Sequence, residues 1–428
     1  MPQPLPPADP SSGSSAPPCG PTAADGDRLD TAALAADLKA EARRLGFSRV
    51  GIAPAVPAPR HDLVLHWLAS GLAGAVEPWF TRQIDLRSDP RRLLPAARSV
   101  VLLATDHATG PAAERAAAAE AGLGSEGTAP AAGAATRPGR GRVARYAWGD
   151  DYHDLLRDRV NRLAAWLAAR APGCQSRGVV DSAPLAEREF AWLAGLGWFG
   201  KNTMLIDPAA GSYFLLTALL TDLDLPIDTP LEVDHCGTCT ACLDACPTQA
   251  FVAPRVLDAG RCISSLTIED HGSVAADLRQ DIGDWIFGCD VCQEVCPWNR
   301  RSPGSAEPSL QPRGGEATLP LADLLGLDEH RFRTRFKRSP LLRAKRRGLL
   351  RSAAIALGNR PDSAALPVLV AAVADAEPVV RSAAAWALGR WLAVEALAAD
   401  ARAALEARLM VETEEEPRRE IARALSGD

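Results

Sequence analysis

The sequence predicts a multidomain protein of mixed α/β (α+β) architecture, with a ferredoxin-like double-cluster domain and a C-terminal α-helical, HEAT-like repeat region. Three observations predict it. Helical and strand-like apolar patterns alternate through the first half of the chain. Eight of the ten cysteines fall between Cys236 and Cys296. An Arg-Ser-Ala-Ala motif at Arg351 returns at Arg381, with a weaker echo at Arg418, a period that suits stacked helical pairs. The 428 residues are 47% hydrophobic and 23% charged. No apolar run is long and charge-free enough to cross a membrane.

Residues 1–28 are rich in Pro, Ser, Ala and Gly, lack an apolar segment and carry no Lys or Arg before Arg28. They read as a disordered tail with no secretory signal, and Cys19 has no apolar stretch before it to make a lipid anchor. A cytoplasmic location is expected, where thiols stay reduced and clustered cysteines bind metal or do redox chemistry. The first domain, 29–230, opens with a helix over 31–45 and a strand over 50–53. A helix over 61–72 and a buried strand over 99–104 follow. Residues 108–141, mostly Ala, Gly, Glu and Pro, read as a flexible surface insertion. Beyond it come a helix over 152–169, a strand over 177–181, a helix over 187–196 stopped by Gly197, and an apolar strand beginning near Ser212. The cluster domain occupies 231–300, a linker and helix 301–330, and the basic, HEAT-like region 331–428. Two or three repeats bury little on their own, so they should pack on the domain before them.

Cys236-x2-Cys239-x2-Cys242-x3-Cys246-Pro247 is the bacterial ferredoxin run. In such runs the fourth cysteine serves the other cluster, which requires a second set. Cys289-x2-Cys292-x3-Cys296-Pro297 supplies three of its ligands, and Cys262 takes the missing first place. The crossed assignment gives one [4Fe–4S] cluster to Cys236, Cys239, Cys242 and Cys296, and a second to Cys246, Cys262, Cys289 and Cys292. Two structural zinc sites are the alternative. Cys174 and Cys19 have no neighbouring ligands.

The net charge of −6 argues against a polyanionic partner. Residues 331–351 are the exception, with ten Arg or Lys and no acid, so the rest of the chain carries −6 − 10 = −16. Two clusters conduct single electrons, so a reaction centre must receive them. No Gly-x-Gly-x-x-Gly follows a strand, and Asp151-x-His153 lacks the glycine of a corrinoid-binding motif because position 156 is Leu.

Arg145 to His153, Val180 to Leu185, Ala194 to Asn202, the Cys236 to Pro247 run, Arg261 to Thr267 and Gly288 to Pro297 together resemble the epoxyqueuosine reductases of tRNA modification. The resemblance runs from about residue 31 to 425, outside the insertion. It implies a cobalamin between the first domain and the cluster domain, fed through two [4Fe–4S] clusters by an unidentified low-potential donor. Epoxyqueuosine at the wobble position of a tRNA would become queuosine. Loss of the epoxide oxygen as water needs two electrons, two protons and a nearby general acid. Asp181 matches the family's proton donor, for which a desolvated carboxyl with a raised pKa is expected. Arg87, Ala144, Asp181, Leu205 and Leu216 match corrinoid-contacting positions, and Asp151, Tyr152 and His153 lie in a block lining the substrate pocket. Arg343, Lys345, Arg346 and Arg347 are the candidates for gripping the anticodon stem-loop of a queuosine-family tRNA. Phe332 and Phe336 are read as core anchors in preference to base-stacking platforms. The likeness suggests a monomer with no membrane partner. Two rival functions are a corrinoid reductive dehalogenase and a noncatalytic iron–sulfur electron-transfer subunit. The absence of a twin-arginine signal and the basic, HEAT-like tail oppose the first; the long first domain opposes the second.

Overall fold

The computed structural model describes residues 29–107, 136–313 and 317–427. The expected tail at 1–28, with Cys19, and most of the expected insertion lie outside them. The first domain is built on a four-stranded sheet in the order Arg49–Pro54, Ser99–Asp106, Phe214–Thr221, Ser176–Val180. Every neighbouring pair is antiparallel, so the alternation of helix and strand produces an α+β layer here and no parallel crossovers. Helices Thr31–Arg44 and Tyr152–Arg170 cover one face, where Leu38, Leu103, Leu156, Leu163 and Leu219 share a core. Helix Glu187–Leu193 covers the other, packing Phe190 against Val100, Leu102 and Leu220. Ser99–Asp106 is therefore buried on both sides along its whole length, which explains its uninterrupted apolar run.

A second sheet joins segments far apart in the chain. Arg140–Val143 lies in its middle, parallel to Trp285–Phe287 and antiparallel to Thr318–Pro320. Arg140 and Gly141 thus belong to a core strand and not to the insertion that the sequence places there. Their lack of apolar side chains is a packing requirement: a Cβ on Gly141 would stand 2.5 Å from Ile286 and 2.7 Å from Leu321. Asp284, almost fully buried, fastens the strand by accepting from Thr136 N at 2.6 Å and Arg142 Nε at 2.8 Å.

The C-terminal helices Lys345–Asn359, Leu366–Ala372, Pro378–Trp391, Glu395–Leu409 and Glu415–Ser426 stack as the repeat predicts. Their core is continuous with that of the cluster region, running from Val143 through Ile263 and Phe287 to Ile421. The repeated arginine is a buried bracket. The Arg351 guanidinium donates to the carbonyls of Leu266, Asp270 and Gly272, and Arg381 grips Glu412 at 2.8 and 3.1 Å. Arg279 and Glu420 form a buried ion pair at 2.7 Å that ties the last helix back to the cluster region. Phe332 and Phe336 are buried with ring centroids 5.4 Å apart, anchoring the basic segment. No described helix is long and apolar enough to cross a membrane.

Candidate active site and cluster cradle

Cys236, Cys239, Cys242 and Cys296 line one cavity together with Lys201, His235 and Trp298. Burial and the adjacent Cys296 and Cys236 thiols push the Cys242 thiol up to about 11. Cys246, Cys262, Cys289 and Cys292 form a second group: burial is the main force raising the Cys262, Cys289 and Cys292 thiols, reinforced by their mutual proximity and, at Cys262, by Cys246. Main-chain N–H groups already point at several sulfurs, as from Ala250 to Cys246 at 3.3 Å, the kind of contact that holds cluster thiolates and sets their potential. These two groups of four are the ones that the crossed ferredoxin spacing predicts. Cys174 sits apart beside Asp222.

Asp181 follows directly on the strand Ser176–Val180 and takes a backbone φ of +27°, strain that non-glycine residues tolerate mainly at functional sites. Its Oδ2 accepts from Tyr152 Oη at 2.8 Å and lies 3.2 Å from His153 Nε2. His153 Nδ1 lies 2.7 Å from Asp151 Oδ1, and Asp151 in turn caps the helix through His153 N at 3.1 Å. Asp151 is thus both a helix cap and part of the site. The expected rise in the Asp181 pKa is not found. Partial desolvation pushes this carboxyl up, but its side chain is 59% exposed, and hydrogen bonds from His153 and Tyr152 and the charges of His153 and Arg343 outweigh that, holding it below the usual carboxylate range. Burial works to lower His153, and its two carboxylate neighbours overcome that to raise it to about 9.

Arg87 is buried, its guanidinium 4.1 Å from the ring centroid of Trp79 and 4.7 Å from that of Phe80. Nη1 reaches Leu185 O at 3.3 Å, while Nε and Nη2 are buried without a partner. No ion pair to Asp85 or Asp89 forms; Asp89 is taken by Arg91. Leu205 and half-buried Leu216 lie on the same face of the sheet as Leu185. Leu205 is buried and Leu216 half-buried in the apolar cluster that also holds Leu185, whose carbonyl Arg87 contacts. Ala144 is almost fully buried, its methyl against Gly288, immediately before Cys289.

Residues 87–182 match the family model for epoxyqueuosine reductase QueG, DUF1730, residues 235–299 that for a 4Fe-4S double cluster binding domain, and residues 339–426 that for HEAT repeats. An epoxyqueuosine reductase of Xanthomonas campestris pv. campestris is 40% identical over 364 residues, covering 85% of this chain and 98% of the relative. The chain belongs to the epoxyqueuosine reductase family. It is an oxidoreductase with a double [4Fe–4S] domain. Two solved structures are similar over 92% of this chain and 98% of their own. An epoxyqueuosine reductase with a tRNA-Tyr epoxyqueuosine-modified stem loop has a TM-score of 0.80 and 32% identity. The Bacillus subtilis enzyme, with its catalytic aspartate loop swung out of the active site, has a TM-score of 0.79 and 31% identity.

The four basic candidates divide. Arg343 is exposed and pairs with Glu269 at 2.9 Å. Lys345 is exposed at the start of the helix Lys345–Asn359. Arg347 stands 3.9 Å from Glu377. Arg346 is committed to Asp375 and to Leu327 O with its side chain largely buried, so its charge is structural and is withdrawn from the candidate set. Sequence reasoning missed Glu187. Burial, aided by the Asp181 charge, lifts it to about 8, and its Oε1 is buried with no partner. Nothing in Leu185-Ala-Glu-Arg-Glu distinguishes it from an ordinary acid in a helix's first turn.

Proposed function

We propose that the protein reduces epoxyqueuosine to queuosine at the wobble position of a tRNA, as a single cytoplasmic chain holding cobalamin and two [4Fe–4S] clusters. The observation that carries this reading is Asp181, strained at the end of its strand and tied to Tyr152 and His153 close to the charge of Arg87. Electrons from a low-potential donor enter through the clusters held by Cys236, Cys239, Cys242 and Cys296 and by Cys246, Cys262, Cys289 and Cys292. Cobalamin, when bound, supplies the two-electron reduction at carbon. Its fit rests on the orphaned Arg87 Nε and Nη2, which suit the amides and phosphate of its periphery, and on the half-buried Leu216 of the apolar cluster around Leu185. Arg343, Lys345 and Arg347 draw in the phosphates of the anticodon stem-loop, the class of partner seen with the related enzyme. Asp181 then holds a proton against the departing epoxide oxygen.

Asp181→Asn tests this. The variant should keep cobalamin and stem-loop binding while nucleoside analysis of the tRNA finds epoxyqueuosine and no queuosine. A variant that still makes queuosine at the wild-type rate removes Asp181 from the reaction.

A further inference from the structure

Reduction of the epoxide breaks two C–O bonds, forms an alkene and releases water, consuming two electrons and two protons. One carboxyl carries one proton. Asp181 must therefore be supplied from elsewhere in each turnover, and its resting state is the ionised one. We propose that Asp151, His153 and Asp181 form a proton relay in which His153 stores the proton and recharges Asp181. This rests on the reading of Asp181 as the acid.

Both hydrogen bonds to Asp181 fall on Oδ2, from Tyr152 Oη at 2.8 Å and from His153 Nε2 at 3.2 Å. Among the described residues Oδ1 receives none, which leaves it to face the leaving oxygen. The His153 ring cannot swing away freely. Its Nδ1 is held 2.7 Å from Asp151 Oδ1, and its plane stacks on Tyr152 at 4.2 Å with a 23° tilt. Asp151 is fixed in turn as the helix cap. His153 is the cation between two carboxylates, and its side chain keeps 28% of its exposure, enough for solvent to restore the proton it gives up. Each proton takes the same path: the Nε2 proton moves to the ionised Asp181, Asp181 gives it to the departing oxygen, and His153 takes another from solvent. Two passages supply the two protons of the water released, and both electrons come from the low-potential donor through the clusters. His153 acts on the reaction through Asp181, so it is a positioning residue with a titratable duty. The other charged or titratable groups facing Asp181 are Arg343 from the segment before the solenoid, Arg87 from the first domain, Glu187 and Arg188 from the helix after it, and Tyr146.

The test is single-turnover reduction of an epoxyqueuosine-bearing anticodon stem-loop by the cluster- and cobalamin-loaded enzyme between pH 6 and 10. The wild-type rate should fall above about 9, where His153 loses its proton. His153→Gln keeps an N–H donor for Asp181 but no titrating group. It should slow the step at pH 8 by about 10- to 100-fold and move the falling limb at least a unit lower. A histidine NMR titration of the substrate-free protein gives an independent readout: the His153 resonance titrates near pH 9, and lower in Asp181→Asn. A His153→Gln variant with the wild-type pH limb, or a His153 titration unaffected by Asp181→Asn, overturns the relay alone. An active Asp181→Asn enzyme overturns the acid assignment beneath it.

Discussion

Arg87→Met separates a ligand-binding arginine from a structural one, because the two roles predict opposite balances of stability and affinity. A buried donor without a partner costs about 1–3 kcal/mol, and Arg87 has two, Nε and Nη2. Against this stand stacking on Trp79 and Phe80, about 1–2 kcal/mol, and the long contact to Leu185 O at 3.3 Å, about 1 kcal/mol. Two such donors cost about 2–6 kcal/mol against about 2–3 kcal/mol gained, so the balance in the ligand-free protein is level to unfavourable. Methionine fills similar space without the orphaned donors, so the denaturation midpoint should stay level or rise. Each donor that meets a cobalamin amide or phosphate oxygen contributes about 1.5–3 kcal/mol. Losing both weakens cobalamin binding by roughly 100-fold or more. The assay is an absorbance titration of aquacobalamin into cluster-loaded, cobalamin-free protein, with urea denaturation of the same sample. A variant destabilised by more than about 2 kcal/mol that keeps wild-type cobalamin affinity would refute the assignment and make Arg87 a packing residue.

Glu412 is buried, and although burial opposes its charge, hydrogen bonds from Arg381, Arg408 and the Glu414 main chain hold it at about 2. A folded value depressed from 4.5 contributes about 3 kcal/mol, fully present above pH 4.5 and lost as the pH falls toward 2. Glu412→Gln should therefore lower the urea midpoint at pH 7, with a gap to wild type that narrows below pH 4.5; a gap independent of pH would refute the linkage. Cys262→Ala should reduce the iron of anaerobically purified protein from about eight to about four atoms per chain, while Cys174→Ala leaves it unchanged. Arg343→Glu and Lys345→Glu should weaken stem-loop binding and flatten its salt dependence by about 0.7–0.9 per lost contact. Arg346→Gln should instead cost about 3–5 kcal/mol of stability by leaving Asp375 unpaired.

Where the sequence was legible, one local signal determined the outcome. The run Ser99 to Ala104 is apolar because both faces of its strand are covered, and the repeat at Arg351 and Arg381 marks two buried arginines in stacked helices. The eight clustered cysteines sort into two groups because ferredoxin spacing itself dictates the crossing. Arg140 and Gly141 were misread because their strand is recognised only by its partners Trp285–Phe287 and Thr318–Pro320, well over a hundred residues away. The Asp181 pKa was misjudged for a related reason. The end of a buried strand suggests a buried carboxyl, but this side chain is 59% exposed and the donors that lower its pKa arrive from Tyr152 and His153 on another element.

The basic segment shows the same limit in its charges. Ten positive residues in 331–351 suggest one continuous cradle, yet the fold brings acids to six of them: Asp328 to Arg331, Glu329 to Arg333, Glu269 to Arg343, Asp375 to Arg346, Glu377 to Arg347 and Asp270 to Arg351. Arg351 is spent on buried carbonyls. The pairs are not equivalent. An exposed pair such as Arg343 with Glu269 is worth about 0–1 kcal/mol, so a phosphate can displace the carboxylate at little cost. The buried pair of Arg346 with Asp375 cannot be traded without stranding an acid inside the solenoid. The charge available to RNA is therefore that of Arg343, Lys345, Arg347 and the exposed Arg331, Arg333, Arg335, Lys337 and Arg338, without Arg346 and Arg351. The salt dependence of binding should count these eight at most.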